Sequence, residues 1–104
     1  MMKLFKTTDD KLLDLGFKKL RQNDFGAGYE RIEPEGYTHV VDLVHKKSGR
    51  HLIQSYSKEE FGPNYTNVGV GLTYREAKLF LRKMREIGLN DRKGTNWLVG
   101  RRNK

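Results

Sequence analysis

The stretch Tyr37–Lys58, "YTHVVDLVHKKSGRHLIQSYSK", is the clearest β-hairpin in the chain. Both halves alternate between apolar and polar residues, which is typical of strands with one buried face. Ser48-Gly49 supplies a two-residue turn, because glycine tolerates positive φ. The register that follows sets four residues on the core face: Val41, Leu43, Leu52 and Tyr56. It assigns four others to the opposite face: Asp42, Lys46, His51 and Ser55.

The three histidines of the chain, His39, His45 and His51, all fall in this hairpin. In the predicted register His45 faces Leu52, and His51 lies on the other side of the sheet. A zinc site needs three or four converging ligands about 2 Å from the metal. We therefore predict strand-surface histidines and no metal.

The segments around the hairpin complete an α+β pattern. A helix is predicted over 8–15, started by Thr7 or Thr8 with two aspartates and stopped at Gly16. Strands are predicted over 17–22 and 29–33, with a turn-rich "NDFGAG" between them, a loop over 59–67 and a short edge strand at 68–70. The order predicts an antiparallel sheet of three to five strands, packed on one face by an N-terminal and a C-terminal helix.

The second helix is predicted over "GLTYREAKLFLRKMREIG", residues 71–88. Thr73 and Glu76 form a capping box, and Gly88 is a helix stop. With successive helix residues 100° apart, six apolar side chains lie within one arc of the helix, and Leu79 projects from the polar side. The arc contains Tyr74, Ala77, Phe80, Leu81, Met84 and Ile87.

Length and charge define two regions of unequal composition. The 104 residues support one domain, predicted over 1–89, followed by a basic C-terminal extension over 90–104. The net charge is +8, and the last 15 residues carry five cations against one acid. Such basicity favours nucleic acid or an acidic protein surface as partner.

The chain has no cysteine and no apolar run of membrane-spanning length, so we expect a cytoplasmic protein without disulfides or a membrane partner.

Two groups of residues are the candidate binding site. Arg75, Lys78, Arg82 and Arg85 form a stripe beside the apolar arc of the second helix. The stripe is either a solvated face whose stems cover the core edge or a row of phosphate contacts. In the extension, Trp97 stands among Arg92, Lys93, Arg101 and Arg102. This tail is either a frayed terminus or a docking segment whose indole stacks on a base or enters a partner's pocket.

Catalytic patterns are weak. The pairs Asp9-Asp10 and Glu59-Glu60 are adjacent in sequence, so their carboxylates point apart in regular structure. Gly69-Val70-Gly71 lacks the further residues of a phosphate-binding loop. We expect a protein that is not an enzyme and uses no cofactor.

The segments "HKKSGRHLIQSY" (45–56) and "GLTYREAKLFLRKMREIGL" (71–89) resemble small proteins encoded in phages and prophages of Gram-positive bacteria. The resemblance implies a viral or mobile-element origin and no catalytic residues. Members of that group end soon after the final helix, so the basic extension departs from their pattern. Strands followed by a helix opening "T-x-x-E-A" also resemble the arm-type DNA-binding domains of phage integrases, which read DNA with a three-stranded sheet.

Together these features predict a small phage-encoded accessory protein that binds nucleic acid, DNA or RNA, through the basic helix face and the basic tail. The alternative is a protein-binding module that captures or inhibits an acidic host protein. Either partner places it in the cytoplasm, that of the host if a phage encodes it.

Overall fold

A five-stranded antiparallel sheet, with strands in the order β1-β2-β3-β4-β5, forms the frame of the computed structural model. The structure describes residues 5–58 and 68–92, and for 89–92 it describes the backbone only. The elements are α1 (Thr8–Asp14), β1 (Lys18–Asn23), β2 (Gly26–Ile32), β3 (Thr38–His45), β4 (His51–Lys58), β5 (Val68–Gly69) and α2 (Tyr74–Arg92). Both helices pack on one face of the sheet, which confirms the predicted α+β fold. The predicted loop over 59–67 lies outside the described residues.

Helix α1 begins where the sequence predicts. Thr7 Oγ1 accepts a hydrogen bond from the backbone N–H of Asp10, and Asp10 accepts one from the backbone N–H of Thr7, both at 3.0 Å. This capping box satisfies N–H groups that have no partner within the helix. The chain then leaves the helix at Gly16, whose φ is +97°.

Strand β2 begins three residues earlier than predicted, and the turn before it contains only Asp24 and Phe25. Gly26 has a φ of +149°, and a Cβ there would collide with the carbonyl oxygen of Leu43 on β3. At Gly28 a Cβ would meet only the flexible end of the Arg21 side chain, which can move aside. Gly26 therefore permits close approach within the sheet, and the segment "GAG" belongs to β2 and not to a loop.

The hairpin of β3 and β4 is present, but its register differs by one residue from the prediction. The N–H of Gly49 donates to Lys46 O at 2.9 Å and that of Lys46 to Arg50 O at 3.0 Å, so the turn holds three residues. Val41 consequently lies opposite Ser55 and not Tyr56. Since side chains alternate between faces, the shift transfers every β4 side chain to the other face. The predicted core positions Leu52 and Tyr56 and the predicted outward positions His51 and Ser55 were wrong.

The shift also brings two histidines together. His45 and His51 are directly opposite, with their Nδ1 atoms 2.9 Å apart. His39 and His45 are 1% and 6% exposed, so the interpretation as surface histidines was wrong for both. The described residues contain no group of three or more histidine, cysteine or acidic side chains that could hold a metal ion.

The core lies between the sheet and the two helices. The Phe80 ring of α2 meets the rings of Phe17 and Tyr29 edge-on, at centroid distances of 5.1 and 5.4 Å. Around this aromatic trio pack the buried side chains of α1, the sheet and α2: Leu12, Ala27, Val41, Leu43, Met84 and Ile87.

Helix α2 starts as predicted and ends later. Glu76 Oε1 accepts from the N–H of Thr73 at 2.9 Å, and the N–H of Glu76 donates to Thr73 Oγ1 at 3.1 Å. The helix continues through Gly88 to Arg92, so the predicted stop was wrong and the boundary at 89/90 lies inside the helix. A glycine within a helix costs about 1 kcal/mol.

The face that α2 turns to the sheet also differs from the predicted arc. Tyr74 and Leu81 are 79% and 54% exposed, whereas Leu79 packs against the core. The buried stripe of α2 includes two charged residues, Glu76 and Lys83, beside the apolar Phe80, Met84 and Ile87. Hydrophobic periodicity places charged residues outside by default, and this rule fails here because Glu76 and Lys83 have ionic partners in the interior.

The hairpin register can be tested with cysteine pairs, because the chain has no native cysteine. The double variant His45→Cys/His51→Cys is expected to form a disulfide under mild oxidation, since directly opposite residues have Cβ atoms close to the required separation. The control His45→Cys/Leu52→Cys, which matches a two-residue turn, is expected to remain reduced. Thiol titration and intact mass distinguish them, and preferential oxidation of the control would refute the observed register.

Candidate nucleic-acid interface

The cations of the described chain fall into two classes, and the first class fastens the helices to the sheet. Asp9 of α1 is the centre of one such contact: its Oδ2 accepts from Lys19 at 2.9 Å and Lys83 at 3.1 Å. Its Oδ1 accepts from the Tyr29 hydroxyl at 2.5 Å. Burial raises the pKa of Asp9, but these three hydrogen bonds outweigh it and leave the pKa below its ordinary value. Asp9 therefore joins α1, β1, β2 and α2 in its charged form.

Arg31 of β2 is the centre of the second contact, which is partly buried. Its Nε donates to Glu33 at 2.6 Å, and its Nη1 lies 3.0 Å from both the Glu76 carboxylate and the carbonyl oxygen of Leu15. Its guanidinium carbon is 4.2 Å from the centre of the Phe17 ring. Burial raises the pKa of Glu76, while the Thr73 N–H and Arg31 lower it by more, so Glu76 stays charged. One guanidinium thus connects the end of α1 to the start of α2.

The second class is the predicted stripe, here called the cation row: Arg75, Lys78, Arg82 and Arg85. All four side chains are exposed on the side of α2 that faces away from the sheet. The row extends from Arg75 to Arg85, a distance of about 15 Å at the rise of an α-helix. Among residues 5–58 and 68–88, no ion pair within 4.0 Å joins a member of the row to a carboxylate. Its charge faces solvent without an internal counterion in that part of the chain.

The cation row borders an open groove of about 780 Å³ between α1 and α2. Leu15, Leu79 and Leu81 supply its apolar lining, and Tyr74 stands beside the row with the Lys78 Nζ 5.2 Å from its ring centre. Helix α1 adds Lys11 and Asp14, and Asp14 is paired with Lys6 at 2.5 Å. The arrangement combines positive charge, one accessible aromatic ring and apolar surface in a single concavity.

The structure places only part of the predicted site. The four residues of the cation row lie together, while Arg92 is described by its backbone alone. Lys93, Trp97, Arg101 and Arg102 lie outside the described residues, as does all of the chain from residue 93 onwards. Sequence reasoning missed Lys11, and it assigned Tyr74 and Leu81 to the core. The packing of α1 beside α2 brings these residues to the groove, and no local signal in the sequence encodes that packing.

Ser55, His39 and Glu33 form a chain of polar contacts that has the order of a nucleophile, a base and a carboxylate. Ser55 Oγ is 2.6 Å from His39 Nε2, and His39 Nδ1 is 3.5 Å from Glu33. His39 is almost fully buried, and Glu33 is already bonded to Arg31. Burial and the charge of Arg31 lower the pKa of His39, which opposes the imidazolium that a general base must form. We assign these contacts a structural role.

Comparison of the chain with models of protein families, with curated proteins and with solved structures gave no match. Of the helices in the described residues, none has the length and apolar character needed to span a membrane.

Removal of the Arg31 guanidinium is expected to destabilise the fold strongly. Arg31→Met leaves Glu33 and Glu76 without their cation in a largely buried setting, which costs about 3–5 kcal/mol. The matched control is Arg21→Met, because Arg21 is 53% exposed and lies 3.5 Å from Asp42, so its loss costs under about 1 kcal/mol. Urea unfolding of both variants measures the difference, and equal losses would contradict the structural role of Arg31.

Stability is expected to decrease as the pH falls through about 6.5, the ordinary pKa of histidine, because folding lowers the pKa of His39. Below pH 6.5 the unfolded chain takes up a proton at His39 more readily than the folded chain does. The stabilisation that is present above pH 6.5 is therefore lost as the pH falls towards the lower pKa of His39 in the folded state. His39→Gln keeps a donor near Ser55 and does not titrate. Its free energy of unfolding is expected to change less between about pH 8 and 5.5 than that of the wild type. Parallel pH profiles for the two proteins would show that His39 does not contribute.

Proposed function

We propose that this protein is a small phage-encoded accessory protein that binds nucleic acid at the groove between α1 and α2. The observation that carries the proposal is the cation row, whose four exposed charges have no carboxylate partner among residues 5–58 and 68–88. In the same structure Lys6, Lys19, Arg31 and Lys83 each contact a carboxylate.

The physical basis is the exchange of counterions. Phosphates of nucleic acid carry condensed cations, and each arginine or lysine that replaces one releases it to solvent. The cation row with Lys11 offers up to five such contacts. Log affinity should then fall with log salt at a slope of about −3.5 for a single strand and −4.5 for a duplex. Phosphate contacts carry no sequence information, so we propose binding without strong sequence preference.

The origin and location follow from other features. The phage assignment rests on the resemblance of residues 45–56 and 71–89 to phage and prophage proteins. The absence of cysteine supports the host cytoplasm as the place of action. The proposal assigns the protein no reaction and no cofactor, and the basic extension from residue 90 is proposed to add further phosphate contacts.

Charge reversal in the cation row is expected to abolish most binding. Arg75→Glu/Arg82→Glu removes two phosphate contacts and adds repulsion, so the salt slope should become shallower by about 1.4–1.8. The matched control Lys47→Glu/Arg50→Glu makes the same change in net charge at the exposed β3–β4 turn. Fluorescence anisotropy with labelled mixed-sequence DNA and RNA, measured from low to moderate salt, gives affinity and slope for each protein.

The control is expected to bind more tightly than the row variant at every salt concentration. Equal losses in the two variants would mean that net charge alone governs binding and that the groove is not the site. Absence of binding by the wild type at low salt would refute the proposed function.

A second candidate, capture or inhibition of an acidic host protein, is favoured by the apolar lining of the same groove. Leu15, Leu79 and Leu81 could hold an apolar anchor while the cations contact acidic residues at the rim. Pull-down from nuclease-treated host lysate separates the two functions. A stoichiometric protein that remains after nuclease treatment, and that the row variant no longer captures, would favour this alternative.

A further inference from the structure

We infer that the groove between α1 and α2 takes a single strand of nucleic acid and not a duplex. This inference rests on the proposed function and specifies its ligand. It follows from the shape and composition of the groove: the cation row forms one border, and apolar and aromatic side chains lie beside it within one concavity.

The apolar lining distinguishes the two ligands. A duplex stacks its bases inside and presents phosphates on a convex surface, so it can satisfy the cations but offers nothing to Leu15, Leu79 or Leu81. A single strand presents phosphates and base faces together, and base faces can cover exposed apolar side chains. Leu81 is 54% exposed and is followed directly by Arg82. An apolar and a cationic side chain thus stand side by side, as the base and the phosphate of one nucleotide do.

Tyr74 provides the stacking surface. Its side chain is 79% exposed at the first position of α2, where no core contact explains an aromatic residue. The Lys78 Nζ lies over one face of the ring, 5.2 Å from its centre, so a base would stack on the other face with its phosphate near a cation. Non-specific single-strand binders combine a basic groove with such rings, because every base has a face that can stack.

The acidic residue in the groove does not prevent binding of a single strand. Asp14 is the carboxylate that lines the groove, and Lys6 pairs with it at 2.5 Å. Its repulsion of a phosphate is therefore reduced, and Lys11 stands on the same wall. The net charge around the strand remains positive.

The test compares ligands and aromatic variants on the full chain. Labelled 15-nucleotide single-stranded DNA and RNA of mixed sequence, and a blunt duplex of the same DNA sequence, are titrated by fluorescence anisotropy at several salt concentrations. We expect the single strands to bind on the order of tenfold tighter than the duplex, with a slope of about −0.7 per phosphate contact.

Three variants test whether the Tyr74 ring is responsible for the preference for a single strand. Tyr74→Ala should weaken single-strand binding on the order of tenfold and leave both the salt slope and duplex binding unchanged, because stacking is lost and charge is not. Tyr74→Phe should retain wild-type affinity. The matched control Phe25→Ala removes a 60% exposed aromatic residue from the β1–β2 turn and should have no effect. Circular dichroism establishes that each variant is folded.

The outcomes separate the inference from the proposed function. Duplex binding as tight as single-strand binding, or single-strand affinity unchanged in Tyr74→Ala, would overturn the inference and leave nucleic-acid binding intact. Failure of the wild-type chain to bind any of the three ligands at low salt would overturn both.

Discussion

Two partly buried ionic contacts, centred on Asp9 and Arg31, fasten the helices to the sheet. Asp9 near the start of α1 contacts Lys83 in the middle of α2, and Arg31 joins the end of α1 to Glu76 at the start of α2. The two contacts lie at opposite ends of α1, so they fix both the position and the antiparallel direction of the helix pair. Breaking a largely buried pair leaves an uncompensated charge, at a cost of several kcal/mol, so alternative orientations are disfavoured.

These contacts also determine which side of α2 faces solvent. Glu76 and Lys83 are seven residues apart, two helical turns, so both can lie on the same buried stripe as Phe80 and Ile87. A helix oriented by apolar residues alone would turn Tyr74 and Leu81 towards the sheet. The ionic partners rotate it away from that setting and leave both side chains exposed beside the cation row. The composition of the groove is therefore a consequence of how the core is held together.

Local features of the fold could be predicted from the sequence, and features that depend on distant partners could not. The capping box of Thr73 with Glu76 and the start of α1 at Thr7 or Thr8 were correctly located, because such caps act within one helical turn. The β3–β4 hairpin was found, but its turn holds three residues, and the difference of one residue exchanged the two faces of β4. No rule of local sequence separates a two-residue turn at Ser48-Gly49 from a three-residue turn that ends at Gly49, since both need a glycine there.

In the candidate site, too, local features could be predicted from the sequence, and features that depend on distant partners could not. The cation row was predicted because its spacing is a property of one helix, whereas Lys11 reaches the groove only through the packing of α1 against α2. The chain has 21 cations and 13 acids. Asp9, Glu33 and Glu76 are all engaged in the interior contacts, so none of the three can neutralise the surface of α2. The contacts that stabilise the fold thus leave a positive surplus beside the groove, and that surplus is the electrostatic basis for binding a polyanion there.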